Sequence, residues 1–330
     1  MNTPVPESVL AEAVAVLRGG GIVAMPTETV YGLGADAANP AALKQVFALK
    51  GRPADHPLIV HVGDADQVAR WAREVPDVVG DLVARFWPGP LTIVLRKQPD
   101  VPDLVTGGQD TVAVRMPNHP VALTLLRAFG GGIAAPSANR FGRISPTTAD
   151  HVREEFGPHC PLVLDGGPSD VGLESTILSL ADETPCILRP GGISADDLAK
   201  ILGAPPRSGG DATPKPRVPG STEAHYAPLT ALVALSRDTV WDTAAARARQ
   251  GDRVAVISLG APPPGVDARV AVTALSDVPA EYGHRFYATL RDLDREGFAC
   301  IYVEAPPEKT PWIAVRDRLR RAVHGSGESS

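Results

Sequence analysis

A chain of 330 residues that is 44% hydrophobic and 21% charged can bury a sizeable core and has room for two domains. Its formal net charge of -6 argues against a broad electrostatic grip on nucleic acid, although a local basic cleft stays compatible with an acidic average. Cys160, Cys186 and Cys300 are far apart with no CxxC pair, which supports neither a disulfide framework nor a structural zinc site and fits a reducing cytoplasm.

The opening residues MNTPVPESVL lack the basic and apolar regions of a leader, and no apolar run approaches membrane-spanning length, so a cytoplasmic protein without a membrane is expected. Leu10, Ala13, Val14 and Leu17 recur at helical spacing, and Gly19-Gly20-Gly21 stops that helix. The apolar run 21–25 then leads into Pro26-Thr27-Glu28-Thr29-Val30-Tyr31-Gly32-Leu33-Gly34. Such a segment sets hydroxyls and backbone amides at a strand end, where α/β folds commonly bind small ligands; an ordinary polar turn fits the spacing as well. Residues 40–49 and 64–73 read as helices, with a buried strand at 57–62 between them. Short apolar or β-branched runs follow at 91–95, 111–115, 132–135, 162–164, 175–180 and 186–189, each bounded by Gly or Pro. Together they predict one mixed sheet with helices packed against it. Ser194 opens a Ser-x-x-Asp helix start whose apolar face is Leu198, Ile201 and Leu202.

From about residue 204 to 228 prolines, glycines and charges dominate and no periodicity survives, which marks a linker. Beyond it, strands at 231–235, 254–259, 270–275 and 300–303 alternate with helices near 240–249, 280–296 and 313–323. That alternation describes a small open α/β domain of Rossmann-like build, without a GxGxxG turn to suggest a dinucleotide. The basic run 316–321 reads chiefly as a solvated helix face.

Three constellations could carry chemistry. Lys50-Gly51-Arg52-Pro53 followed by His56-Pro57-Leu58 sets two cations around a glycine, able to cradle polyphosphate oxygens; a plain helix stop at Lys50-Gly51 is the equal alternative. His61, inside the apolar strand, fits a core histidine better than a ligand. Residues 137–147, Ser-Ala-Asn-Arg-Phe-Gly-Arg-Ile-Ser-Pro-Thr, place Ser145 before Pro146 as a helix cap, a geometry that also makes an anion site within reach of Arg140 and Arg143. Finally, Ser175 opens one strand while Arg189 closes the next, and Arg115 ends a third, which suggests carboxylate or phosphate recognition at a common rim. No Ser-His-Asp order, HExxH or Walker A pattern appears, so binding and charge neutralisation of a nucleotide suit this inventory better than a covalent nucleophile.

Taken in order, PTETVYGLG, KGRP with HPLIVH, WPGPLT at 87–92, TVAVRMPNHP at 111–120, APSANRFGRISPT, GLESTI and LRPGGI resemble the Sua5/YrdC/YwlC family, the threonylcarbamoyl-AMP synthases of tRNA modification. The resemblance covers residues 8 to 205. It implies a YrdC-like catalytic domain at 1–205 with a mixed twisted sheet, a linker or lid at 206–229, and a Sua5-type Rossmann-like open α/β domain at 230–330. It also implies a reaction: threonine and bicarbonate or CO2 give N-carboxythreonine, whose carboxylate attacks the α-phosphate of ATP and expels pyrophosphate. The threonylcarbamoyl-AMP then passes to a downstream transferase complex that modifies A37 of tRNAs reading ANN codons, so that tRNA is an indirect partner. In-line attack on a polyphosphate needs positioning, cations and Mg²⁺, but no protein nucleophile.

By the same resemblance Thr29, His61, Arg115 and Ser175 contact L-threonine, with Arg115 as the clamp on its carboxylate. Lys50 and Arg52 stand nearest the phosphates as catalytic residues. Arg52, His56, Thr111, Ser137, Asn139, Ser145 and Arg189 line the ATP site, and no residue is assigned as a metal ligand. Residues 218–228, VPGSTEAHYAP, are similar to the family's PGMKYxHYxP loop, with His225 and Tyr226 expected to approach the nucleotide. Ser221, Thr222 and Glu223 stand where the family has methionine, lysine and tyrosine, which puts a phosphate grip by this loop in doubt. Two rival functions are a carbamoyl-adenylate-forming module, which would need a carbamoyl-transfer companion not visible here, and an RNA-binding module, which lacks aromatic stacking platforms.

Overall fold

The structure, a computed structural model, describes residues 5–208 and 216–326. Fifteen strands are assigned among them. Eleven form the first sheet: β1 Val23–Met25, β2 Gly32–Asp36, β3 Ile59–His61, β4 Ala72–Glu74, β5 Leu91–Lys97, β6 Thr111–Arg115, β7 Ile133–Ala134, β8 Leu162–Val163, β9 Thr176–Ser179, β10 Cys186–Arg189 and β11 Arg207–Ser208. The second sheet holds β12 Ala231–Leu235, β13 Val254–Leu259, β14 Val270–Leu275 and β15 Cys300–Glu304. Two compact units result, Met1–Phe141 with Pro146–Ser221, and Gly142–Ser145 with Thr222–Ser330.

In the first unit the strand order is β11-β10-β9-β5-β6-β3-β7-β2-β1-β8, with β4 hanging on β5. The sheet is mixed: β3 runs parallel to β6 and β9 parallel to β5, while β5–β6, β2–β7 and β9–β10 are antiparallel. The middle of its central strands is apolar on both faces because helices cover one face and a second layer of chain covers part of the other, while polar residues sit toward the strand ends. Leu58, Val60, Leu91, Ile93, Leu95, Val112 and Val114 pack with Leu43, Leu82 and Leu198 from helices Pro40–Lys50, Val78–Phe86 and Ala195–Leu202. On the opposite face Ile59, Val94, Ala113 and Ile177 gather around Val218, so part of the predicted linker is core. Gln109 fixes that stretch by accepting from the Arg217 N–H at 2.7 Å and donating to its carbonyl at 3.1 Å.

Local chemistry explains most helix ends. Asn39 caps Pro40–Lys50 through the Ala41 and Ala42 amides, and Gly51 at φ 62 closes it in the left-handed conformation. Ser194 caps its helix through the Asp197 amide, as its spacing predicts. Two expectations are corrected. Residues 64–73 form only a short 3₁₀ turn and the helix Val68–Trp71 before Ala72–Glu74 joins β5 as an edge strand. Ser145 caps no helix: the Pro146 and Thr147 carbonyls accept the Tyr31 and Ser169 amides, which holds the chain extended, and the helix Ala149–Phe156 starts after Thr148.

The second unit carries its four strands all parallel in the order β12-β15-β13-β14. Helices Arg237–Arg249, Pro279–Arg295 and Ile313–Gly325 accompany the sheet, and Val240, Ala244, Val254, Val256, Cys300 and Tyr302 form one of its cores. The basic run is not a uniformly solvated face. Arg318 is fully buried beside Asp317 at 2.8 Å and over the Tyr226 ring at 5.5 Å, while Arg316 pairs with Glu308.

Candidate functional site

Strand ends on the sheet of the first unit bring the sequence motifs together along two seams. The first joins PTET, VRMP, WPGP and GLEST. Register sets His61 beside Arg115, because β3 and β6 pair in parallel. Arg115 is buried at the end of β6 and donates from Nη1 to the Thr29 hydroxyl at 2.9 Å and from Nε to the Gly89 carbonyl at 3.2 Å. Its Nη2 lies 2.7 Å from Oε2 of Glu28, itself buried. One residue on, the Pro90 carbonyl accepts the Thr176 amide, so the Gly89-Pro90 turn spans from the arginine to Ser175.

Ser175 is in turn gripped from both sides. Its hydroxyl meets that of Thr92 at 2.7 Å, and Arg189 donates from Nε and Nη2 to its carbonyl and from Nη2 to its hydroxyl. Arg189 also donates to the Pro219 carbonyl at 2.9 Å. Thr111, at the start of β6, lines a small cavity with Leu58, Val94, Arg217, Val218 and Pro219. Gly191 follows Arg189 so closely over this strand start that a Cβ there would lie 2.2 Å from the Thr176 nitrogen.

The second seam joins KGR, HPL and SAN. Lys50 closes its helix with Nζ against the carbonyls of Ser137 and Asn139, both at 2.5 Å, while its own carbonyl accepts the Phe141 amide at 2.7 Å. Arg52 donates to the Pro57 carbonyl at 3.0 Å and faces the Phe141 ring, against which His56 also packs edge-on. Asn139 turns its amide onto the Arg140 carbonyl. The Ala138 amide bonds the Tyr31 carbonyl and Ser137 bridges Gly32, so this seam abuts the PTETVYG segment that starts the first.

Electrostatics follow from burial. Burial pushes Lys50 well below its ordinary pKa, aided by the neighbouring Arg52 and opposed by the Glu155 carboxylate. His56 is lowered by burial and then by Arg52. His61 falls to about 3, first through burial and then through the Arg115 charge, and so is neutral at physiological pH. Of the remaining predicted residues, Ser145, His225 and Tyr226 lie in the second unit. Ser145 is fully buried, and His225 packs edge-on to Tyr226 at 4.1 Å, which stacks on Tyr287 at 5.6 Å. Tyr226 adopts a φ of 64.

The sequence reading passes over Glu28, Thr92 and Gly89, which the structure places at the centre of the first seam. The signal lay in the motifs themselves, since PTET contains Glu28 and WPGPLT contains both others.

The family model covering Sua5, YciO and YrdC proteins and described as "Telomere recombination" matches residues 15–191, and one described as "Threonylcarbamoyl-AMP synthase, C-terminal domain" matches residues 193–323. The chain is 41% identical to the threonylcarbamoyl-AMP synthase of Pyrococcus abyssi, covering 94% of this chain and 92% of that one. It is 38% identical to the Bacillus subtilis enzyme of that name, covering 96% and 93%. The crystal structure of P. abyssi Sua5 complexed with L-threonine superposes with a TM-score of 0.91 at 39% identity, covering 98% of this chain and 96% of that one. The chain therefore belongs to the Sua5/YrdC/YwlC family of threonylcarbamoyl-AMP synthases.

Proposed function

We propose that this protein is an L-threonylcarbamoyladenylate synthase that joins L-threonine, bicarbonate or CO2, and ATP into threonylcarbamoyl-AMP and pyrophosphate. The observation that carries the reading is the first seam, where a buried guanidinium is aligned by Thr29 and Gly89 beside a serine fixed by Thr92 and Arg189. A planar cation fixed next to hydroxyls suits an amino acid that carries both a carboxylate and a hydroxyl. Thr29, His61, Arg115 and Ser175 form the threonine side, with His61 neutral.

On the second seam, Lys50 and Arg52 neutralise the polyphosphate of ATP, and His56, Ser137 and Asn139, together with Thr111 and Arg189 from the first seam, shape its site. The step is an in-line displacement: the carbamate oxygen of N-carboxythreonine forms a bond to the α-phosphorus as the bond to the bridging oxygen breaks and pyrophosphate leaves. The protein contributes alignment and positive charge, so its catalytic power lies in holding the two substrates rather than in a nucleophile. Among the described residues no group of three or more His, Cys, Asp or Glu side chains converges as a cation site. Within the cell, the product supplies a downstream transferase that acts on A37 of ANN-decoding tRNAs, and residues 1–205 serve as the catalytic domain, 206–229 as the linker and 230–330 as an appended domain. No described helix is long and apolar enough to cross a membrane, and cytoplasmic operation is part of the same proposal.

Purified protein given ATP, bicarbonate and Mg²⁺ is expected to release pyrophosphate only when threonine is added. Release indifferent to threonine but stimulated by carbamoyl phosphate overturns the reading. Single alanine substitutions at Ser145, His225 and Tyr226 test their assignment to the nucleotide, each expected to raise the ATP requirement and leave that for threonine in place.

A further inference from the structure

We propose that Glu28 determines the substrate class of the threonine wall: ion-paired with Arg115, it makes that wall electroneutral, so the site takes an amino acid zwitterion and discriminates against carboxylic acids that lack the amine. The inference rests on the reading above that Arg115 clamps the substrate carboxylate.

Three observations carry it. Arg115 is 3% exposed, and two of its five N–H groups are committed to Thr29 and Gly89, which leaves three, both of those on Nη2 included, for Glu28 and a ligand. Glu28 is 4% exposed and its Oε2 lies 2.7 Å from Nη2, yet the pair is not aligned as a hydrogen bond, and neither carboxylate oxygen has a hydrogen-bond partner among the described residues. Buried carboxylate oxygens seldom go unbonded, so Glu28 holds acceptor capacity beside the clamp that a ligand N–H can use. The other residues assigned to this wall add no charge: Thr29 and Ser175 are hydroxyls, and His61 is neutral.

An isolated buried guanidinium would attract any carboxylate strongly. With Glu28 already on that guanidinium, an incoming carboxylate gains from Arg115 and is repelled by Glu28, so its net attraction is small. A zwitterion escapes this cancellation, because its ammonium is attracted to Glu28 while its carboxylate meets Arg115. L-Threonine and 3-hydroxybutyrate, which is threonine without the amine, are therefore separated by this one side chain.

Binding of both ligands to the full-length protein, measured by calorimetry, tests the proposal. Wild type is expected to bind 3-hydroxybutyrate at least tenfold more weakly than threonine; binding within twofold overturns the proposal. Glu28→Gln is expected to weaken threonine and strengthen 3-hydroxybutyrate, moving their ratio by at least tenfold, whereas an equal loss of both shows a merely structural role and overturns it. Glu28→Asp keeps the charge and is expected to keep the wild-type preference, which secures the test should the glutamine variant not fold; an Asp variant without that preference refutes the role of charge. Arg115→Ala separates the two levels. If it leaves threonine binding intact, the clamp reading itself fails; if it abolishes binding while Glu28→Gln leaves the ratio unchanged, only the inference about Glu28 fails.

Discussion

Gly191 and Gly192 are adjacent in sequence and opposite in tolerance, which makes them a controlled pair. A Cβ at Gly191 would stand 2.2 Å from the Thr176 nitrogen, 2.5 Å from the Ser175 carbonyl carbon and 2.8 Å from the Glu174 oxygen, all backbone atoms that no rotamer change can move. At Gly192 the nearest atoms are side-chain carbons of Pro90 and Val171, both at 3.8 Å, which is ordinary contact. In Gly191→Ala the start of β9 must retreat by about 1 Å to reach ordinary contact, a displacement of the order that costs about 100-fold in catalytic efficiency when reacting groups are misaligned. Overpacking of this kind also costs about 1–3 kcal/mol of stability. Because Arg189 and Thr92 hold Ser175 by hydrogen bonds within this strand start, the loss should fall on the threonine requirement first. The assay is threonine-dependent pyrophosphate release with each substrate varied in turn, alongside thermal melts. Gly192→Ala should match wild type within about twofold in the same assay, given only ordinary contacts. If the two alanine variants behave alike, or if Gly191→Ala raises the ATP requirement alone, the argument that backbone proximity sets the serine is wrong.

Other expectations follow from burial and charge. Arg115→Ala should raise the threonine requirement far more than that for ATP, and equal effects in steady-state kinetics would remove it from the carboxylate. Lys50, depressed by burial and Arg52, should take up a proton when a polyphosphate supplies counter-charge. The heat of ATP binding should therefore vary with the ionisation enthalpy of the buffer, and Lys50→Met should abolish that dependence. His61 has a folded pKa of about 3 against an ordinary 6.5, so both states are neutral above that value and only the unfolded chain binds a proton just below it. Stability is accordingly lost as pH falls from 6.5 toward 3, at up to about 1.4 kcal/mol per unit from this residue. Denaturant titrations at pH 7.0 and 5.5 should show His61→Gln losing about 1 kcal/mol less than wild type over that interval, and identical losses would refute the assignment.

Much of the fold was readable because strands 111–115 and 186–189 are short, apolar and bounded by turn residues, and those two match the structure residue for residue. Segment 64–73 misled because its apolar residues fit helical spacing while tertiary pairing with β5 claimed its end. Ser145 misled because a Ser-Pro step looks like a cap, whereas long-range amides of Tyr31 and Ser169 hold the chain extended beyond it. Within the site, Lys50, Arg52, Arg115 and Ser175 were legible as motif residues. Glu28 was not, because an acid in a polar stretch after a strand looks like a solvated turn until its partner, distant in sequence, is brought against it. The same limit applies to Thr92, whose hydroxyl acquires meaning only across β5 and β9.

Val218 sits 4% exposed among Ile59, Val94, Ala113 and Ile177, and Gln109 ties down the residue before it. A fragment cut where the first family match ends, near residue 191, would therefore leave a greasy patch on the bare sheet and invite self-association. The first compact unit runs through Ser221, some thirty residues, roughly one strand-and-helix module, beyond the end of that family match.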